Sequence, residues 1–337
     1  MRKRITVLLI LGLMAAVSCE MKRDAIGEPD VLIVIADSTD WLLLEHQLRK
    51  AFAPEIATPQ NETWYNIQHV LPKNAREFFD YKNILLVSLL REGSPSLNLI
   101  KKMFSEQLVH AMQNGEQPVA LKRNQWRKEQ LLMLLTALGV KPFDEIIEFR
   151  GDELRGYFDE VFVNRQKEYL YERYEQKKLA KRFQEEHNWS IRVPRDFIII
   201  HERPDSNFVW LGRHLPIRWL SIYWESVDGQ VSVDSASAFR MRKFIGENHY
   251  GDIATNPDFV ETEQVTLSGR KAVKIRGIWE HTNEAKGGVF IGYLLYDSDS
   301  GRLYYLDGQI FAPGMKKLVY LRQLDIVLNT FTPAPKE

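Results

Sequence analysis

The chain has 337 residues, of which 45% are hydrophobic, 27% charged and 11% aromatic. This apolar content suffices for one large or two ordinary hydrophobic cores, which argues against a disordered chain. Lysine plus arginine (45) balances aspartate plus glutamate (45), so no overall charge favours nucleic acid as a partner. The single cysteine excludes an intrachain disulfide, a thiolate zinc cluster and a Cys-x-x-Cys redox pair.

The first eighteen residues have the features of a secretory signal peptide. Residues 2–4 are basic, and the apolar stretch 5–17 has the length of an h-region rather than of a membrane span. Ala-Val-Ser at 16–18 then precedes Cys19, the only cysteine of the chain. Small residues directly before a cysteine at this place resemble the bacterial lipobox.

The lipobox resemblance implies that residues 1–18 are removed and that Cys19 carries diacylglycerol. Several acyl chains on one residue anchor a protein effectively permanently, since each buried methylene contributes about 0.8 kcal/mol. The alternative is an ordinary signal peptide followed by an incidental cysteine. Residues 19–29 are polar and lack periodicity, which predicts a tether. We expect a lipid-anchored protein of the bacterial cell envelope, on the outer membrane and facing the periplasm.

Residues 30–150 combine apolar β-branched runs with helical periodicity, which predicts an α/β domain. Strands are predicted at 31–36 and 83–90. Helices are predicted from near 41, at 97–112 and at 126–138. Strand-then-helix units of this kind place helices on both faces of the sheet. Gly139 is expected to end the third of these helices.

Residues 151–187 predict one long amphipathic helix that connects the two halves of the chain. The stretch 152–187 contains no proline and only one glycine, Gly156. A coiled coil is the alternative, but the apolar positions leave the heptad pattern near Arg165. Packing of this helix across a domain is therefore favoured.

Residues 188–332 predict an antiparallel α+β sandwich domain. A helix is expected from near Asp234, and a closing amphipathic helix carries leucines from Leu318 onward. The strands are predicted at 189–193, 197–201, 208–211, 217–224, 261–267, 271–279, 289–296 and 302–311. Alternation at 271–279 indicates a sheet with one solvated face. The chain as a whole is therefore predicted to be α+β.

Established catalytic and cofactor-binding motifs are absent from the sequence, including G-x-S-x-G, G-x-x-x-x-G-K-[ST], G-x-G-x-x-G and H-E-x-x-H. The eight histidines are scattered without metal-ligand spacing, at His46, His69, His110, His187, His201, His214, His249 and His281. We therefore expect no metal site and no cofactor.

Two sets of residues remain as candidate ligand sites. Asp37 and the loop containing Ser94 each follow an apolar strand, and if these strands are parallel, both lie at the sheet edge where α/β folds bind ligands. The alternative is that these polar residues cap helices.

The second set is aromatic. Trp210, Trp219 and Trp224 lie on predicted strands with Arg218 among them, and exposed aromatic faces stack on sugars or hold apolar ligands. The alternative is that these rings fill the core of the sandwich, because strands favour aromatic residues.

A family resemblance rests on Cys19, on the strand 31–36 and on the segment 188–194 through Trp210 and Trp224. With these features, the chain resembles an uncharacterised family of envelope lipoproteins from Bacteroidota, which is classed as a domain of unknown function. The second half is also similar to PsbP-like domains, which are modules of binding and assembly. This resemblance implies no assigned catalytic residues.

The resemblance implies a lipid-anchored, non-enzymatic binding or assembly module with an envelope protein as partner. A small molecule or a glycan as an additional ligand is compatible with this interpretation. The alternative is an envelope hydrolase or other enzyme with its site near Asp37 and Ser94.

Overall fold

The computed structural model describes residues 22–227 and 231–333. Cys19 and the signal peptide 1–18 lie outside the described residues. Within those residues, no helix combines the length and the apolar character that crossing a bilayer requires. The chain is mixed α+β, with a first half up to residue 171 and a second half from residue 172.

The first half is a mostly parallel sheet with helices on both faces. Its strands are β1 (Val31–Ile35), β2 (Glu55–Ile56), β3 (Glu62–Thr63), β4 (Asn66–Val70), β5 (Asn83–Ser88), β6 (Val119–Arg123) and β7 (Leu131–Thr136). Its helices are α1 (Ser38–Phe52), α2 (Pro95–Met103), α3 (Glu106–Gln113) and α4 (Val140–Tyr171), with a 3₁₀ turn at Pro72–Phe78. The strand order is β4-β1-β5-β7-β6, with only β6 antiparallel to its neighbour.

The unbroken apolar runs of β5 and β7 are explained by burial on both faces of the sheet. Every residue of these two strands is buried, as expected for a parallel sheet covered by helices. One face packs against α1 and α4, and the other packs against α2, α3 and the 3₁₀ turn. The chain moves from β1 outward to β4 and then crosses to β5, so the winding direction reverses between β1 and β5.

The second half is built on an eight-stranded antiparallel sheet in the order β12-β14-β15-β16-β11-β10-β9, with β13 also beside β14. The strands are β8 (Trp189–Ser190), β9 (Ile198–Arg203), β10 (Phe208–Arg213), β11 (Ile217–Ser226), β12 (Ile253–Thr255), β13 (Glu261–Leu267), β14 (Arg270–His281), β15 (Gly287–Asp297), β16 (Arg302–Phe311) and β17 (Thr332–Pro333). The helices are α5 (Lys177–His187), α6 (Ser235–Ile245) and α7 (Leu318–Leu328).

Helices cover both faces of this second sheet. The core on one face includes residues of α7 and α5, and the core on the other face includes residues of α6. The solvated face predicted from the alternation at 271–279 is therefore wrong. Lys274 and Arg276, which lie on that face, are instead half-buried, and Lys274 is paired with Asp325 of α7 at 2.8 Å.

The helix predicted at 126–138 is wrong, because residues 131–136 form the buried strand β7. A short run that is apolar on all sides fits a central strand as well as a buried helix, so periodicity cannot separate the two. Gly139, expected to end that helix, has φ +127° and stands directly before α4.

The single connecting helix predicted at 151–187 is also wrong. The structure has α4, which begins eleven residues earlier and ends at Tyr171, and the separate helix α5. Between them, the Gln176 side-chain amide donates to the carbonyl oxygens of Pro194 (2.8 Å) and Phe197 (2.7 Å). These tertiary hydrogen bonds fix the turn, and the predicted boundary at 150/151 falls inside α4.

Residues 22–29, predicted as part of a tether, lie along the first half. Ala25 is buried, and its N–H donates to the carbonyl of Lys128 at 3.1 Å. Ile26 forms a bridge with Tyr81. Backbone hydrogen bonds hold this polar segment, and the sequence pattern gives no sign of them.

Candidate functional site

The reversal of the sheet brings Asp37 and the loop 89–95 to the same edge. β1 and β5 are adjacent and parallel, so the segments that follow them meet at the carboxyl edge of the sheet. An open groove of about 620 Å³ lies there. It is lined by Asp37, Ser38, Thr39, Leu71, Pro72, Lys73, Arg91, Glu92, Gly93, Ser94 and Pro95. This is the place where open α/β sheets bind ligands.

The Asp37 carboxylate ties the two loops of this groove together. It accepts hydrogen bonds from the backbone N–H of Ser96 (3.1 Å) and from its hydroxyl (2.5 Å). The Ser96 hydroxyl oxygen also lies 2.8 Å from that of Ser88, and both serines are fully buried. Asp37 occupies the N-cap position of α1 without capping it through its side chain. Its carboxylate instead satisfies buried donors of the neighbouring loop.

Ser94 acts as the N-cap of α2. Its hydroxyl accepts from the backbone N–H of Leu97 at 3.3 Å, and Pro95 occupies the first helical position. This pairing of a serine cap with a following proline is typical of helix starts. Ser94 and Asp37 thus share the rim of one groove, and each has a hydrogen bond that shapes a loop.

An ion pair between a buried aspartate and an exposed arginine, absent from the sequence predictions, lies at the groove. Asp40 is fully buried, accepts from the backbone N–H of Leu89 at 2.9 Å and is paired with Arg91. Arg91 also donates to the Thr39 hydroxyl. Asp40 lies in the first turn of α1, where a carboxylate is favoured by the helix dipole. The sequence shows that position, but the pairing across 51 residues depends on the fold.

The two serines at the groove, Ser94 and Ser96, have hydrogen bonds that hold the local structure. Within residues 22–227 and 231–333, no histidine forms a hydrogen bond with Asp37, Ser94 or Ser96. A serine nucleophile is normally activated by an adjacent base that a third group orients. Ser94 here serves a helix N-terminus, and Ser96 is buried beneath the loop. The groove presents a preformed shape with two cationic residues, Lys73 and Arg91, on its rim.

The predicted aromatic candidates do not converge on one surface. Because side chains alternate along a strand, Trp219 of β11 lies on the α6 face and Trp224 lies on the α7 face. Trp210 joins Trp219 with ring centroids 5.6 Å apart. Arg218 is buried on the other face and donates to Gln323 of α7 at 2.6 Å. The four residues are thus divided between the two layers.

A buried polar cluster lies behind the half-buried rings of Trp210 and Trp219. Arg242 of α6 and Asp307 of β16 are both fully buried, with Nε and Oδ1 3.7 Å apart. Asp307 accepts from the Tyr250 hydroxyl (2.8 Å) and from the Gln309 amide (2.9 Å). Burial raises the pKa of Asp307, while the Arg242 charge opposes that rise. The sequence shows Arg242 only as one charge on a helix.

One cluster has ligand types that a metal ion could use. Glu186, His187 and Glu202 have potential ligand atoms within 4.8 Å of one another. Arg182, however, already pairs with Glu202 at 2.5 Å and with Glu186 at 3.5 Å. His187 Nε2 lies 2.8 Å from Glu202. The cluster is therefore described better as an ion-pair network between α5 and β9 than as a metal centre.

The two halves of the chain meet through a polar network that the sequence analysis does not single out. Asp159 of α4 accepts from Arg322 (2.6 Å), from the Trp64 indole (2.8 Å) and from the Tyr65 hydroxyl (2.9 Å), all at one oxygen. Arg322 stacks over Phe162 at 3.6 Å and is 7% exposed. These residues come from three distant segments, so only the fold brings them together.

The structure thus defines a two-part protein, in which α4 joins an α/β half with an edge groove to an α+β sandwich. Both parts match models of domains of unknown function. Residues 25–171 match the domain of unknown function DUF8532, and residues 176–330 match the domain of unknown function DUF4837. A comparison with curated proteins finds no match.

Several solved structures are similar to part of the chain. LpqN, described as involved in cell envelope biogenesis of Mycobacterium tuberculosis, is 16% identical over 43% of this chain and 83% of its own, with a TM-score of 0.30. The Ran-binding protein Mog1p of Saccharomyces cerevisiae is 12% identical over 44% of this chain and 91% of its own, with a TM-score of 0.32. Each similarity covers less than half of this chain.

Proposed function

We propose that this protein is a lipid-anchored component of the bacterial cell envelope, attached through Cys19 to the outer membrane and facing the periplasm. It acts as a binding or assembly module without catalysis, in the manner of Bacteroidota envelope lipoproteins and PsbP-like modules. The groove at the carboxyl edge of the first sheet is its ligand or partner site. The observation that carries this proposal is the placement of the only cysteine directly after a signal-peptide pattern.

The groove supports the binding part of the proposal. It lies where the winding of the sheet reverses, and its loops are fixed by hydrogen bonds that Ser96 donates to Asp37 and by the pair of Asp40 with Arg91. A fixed rim reduces the conformational entropy that these loops themselves lose when a partner binds. Ser94 has a structural bond to Leu97, and this bond favours a binding surface over a nucleophile at this position.

The anchor is tested by fractionating the native bacterium that expresses the wild type or the Cys19→Ala variant. The wild type is expected to stay with the membrane after a carbonate wash, and mass spectrometry is expected to find an acylated peptide that starts at Cys19. The variant is expected in the soluble fraction. Retention of Cys19→Ala in the washed membrane would contradict the anchor.

The groove is tested by placing a photo-crosslinking amino acid at Lys73, on the groove rim, in the native envelope. Lys181 on α5 is the matched control, because it is exposed and distant in sequence from the groove. One reproducible crosslinked species at position 73, absent at position 181, supports the binding site. Identical crosslink patterns at both positions, or none at position 73, would contradict it.

A further inference from the structure

The segment just after Cys19 is held on one particular edge of the first sheet. The Lys22 ammonium group donates to the carbonyl oxygens of Asn124 (2.6 Å) and Gln125 (3.0 Å). The carbonyl of Arg23 accepts from the N–H of Lys128 at 2.9 Å. The chain therefore enters the described fold beside the loop 124–128.

This loop lies at the amino edge of the sheet, opposite the groove. It joins the end of the antiparallel strand β6 to the start of the parallel strand β7. The segment around Ile26 bridges to Tyr81, just before β5 begins. The groove lies after the other end of β5, and six residues of strand at about 3.3 Å each separate the two edges by about 20 Å.

Chain length limits how far the loop 124–128 can stand from a lipid on Cys19. Lys22 is three positions after Cys19 in the chain, and three extended residues reach about 11 Å at most. An acylated Cys19 therefore keeps this loop close to the bilayer surface. The groove lies at the opposite edge of the sheet and is therefore farther from the bilayer than this loop.

The chemistry of this edge fits a membrane surface with anionic headgroups. Lys22, Arg23 and Lys128 are exposed, and within the described ranges none of them forms an ion pair, whereas Arg127 is paired with Asp80. Ile26 is 53% exposed beside them. Each lysine or arginine near an anionic bilayer contributes about 1 kcal/mol of attraction. The exposed acids Asp24 and Glu28 offset part of this charge.

We propose that the segment 22–28 together with the loop 124–128 is the surface that lies against the lipid bilayer, and that the groove faces away from it. This inference rests on the proposed anchor at Cys19. It makes the groove accessible to periplasmic partners and keeps the groove away from lipid.

The test uses the full lipidated protein in vesicles of phosphatidylethanolamine and phosphatidylglycerol that contain a headgroup-linked fluorescence quencher. Lipidation consumes the only native thiol, so Lys128→Cys and Lys73→Cys each provide one labelling site. Both positions are exposed and lie in the first half. A fluorophore at position 128 is expected to be quenched several-fold more than one at position 73.

The outcomes separate the anchor from the orientation. Vesicle flotation of both labelled proteins, with stronger quenching at position 128, supports the orientation. Flotation with equal quenching, or with stronger quenching at position 73, overturns the orientation and leaves the anchor intact. Failure to float overturns the anchor and this inference with it. Unchanged thermal midpoints show that both labelled proteins are folded.

Discussion

The Glu62 carboxylate of the first half accepts a hydrogen bond from the backbone N–H of Leu318, the first residue of α7, at 3.0 Å. Its other oxygen accepts from the N–H of Lys317 at 2.7 Å. The N-terminal N–H groups of a helix have no partner within the helix, and the helix dipole favours a negative charge there. A residue of the first half, 256 positions before the start of α7, thus serves as the cap of this closing helix of the second half.

Replacement of this cap is expected to destabilise the second half. Glu62→Ala should lower the free energy of unfolding by about 1 kcal/mol, because two backbone donors lose their partner. Glu62→Gln keeps an acceptor and should cost less. Urea denaturation measures both values, and hydrogen exchange should accelerate at the amides of Lys317 and Leu318. Equal stability of Glu62→Ala and the wild type would show that the contact contributes nothing.

The Asp159–Arg322 pair is expected to stabilise the junction more strongly. Asp159→Ala removes the partner of a nearly buried guanidinium group, which typically costs about 3 kcal/mol. Asp152→Ala on the same helix is the matched control, because Asp152 is 92% exposed and its ion pair is with Arg155, three residues away. Its effect should stay below about 1 kcal/mol. Comparable losses for both variants in chemical denaturation would contradict a special role of Asp159.

The hydrogen-bonded pair of Glu175 and Arg192 is expected to make the stability of the protein depend on pH. Hydrogen bonds from Arg192 hold the pKa of Glu175 below its ordinary value. A pKa lowered by folding stabilises the protein above the unfolded-state pKa of about 4.3, and this contribution is lost as the pH falls through the folded-state value.

Arg192→Met should therefore reduce the free energy of unfolding by about 1 kcal/mol at neutral pH. The difference from the wild type should shrink as the pH falls toward about 3. Denaturation at both pH values measures it, with Arg192→Lys as the charge-preserving control. A loss that is independent of pH would indicate that the contact of Arg192 with Tyr171 at 3.8 Å carries the effect instead.

Asp37 is expected to act first as a structural residue of the groove. Asp37→Ala leaves the buried backbone N–H of Ser96 without an acceptor, which should lower stability by about 2 kcal/mol. Asp37→Asn retains one acceptor oxygen and should lose less. Ser94→Ala is a useful comparison, since loss of a helix cap costs about 1 kcal/mol. If Asp37→Ala instead keeps its thermal midpoint and loses the crosslink at Lys73, Asp37 contacts the partner directly.

The sequence predicts most helices and strands whose residue pattern fits only one type of secondary structure. The strand at 31–36 is confirmed within a residue, because its apolar run is rich in β-branched residues. The start of the closing helix at Leu318 is also confirmed, because its leucines recur at helical spacing. Asp234 does start a helix, and its carboxylate accepts from the N–H of Ser237 at 2.7 Å. The run 131–135 was ambiguous because its leucines and methionine are apolar without being β-branched, and such residues also favour helices.

The sequence by itself determined the α+β class and the positions of most strands along the chain, because these depend on local patterns of apolar and polar residues. Only the tertiary structure decided that Asp37 meets Ser96, that Trp219 and Trp224 face opposite layers, and that Glu62 caps α7. Those relationships depend on strand order, on strand alternation and on which distant segments come into contact. A polar side chain carries no local signal of a partner that is far away in the chain.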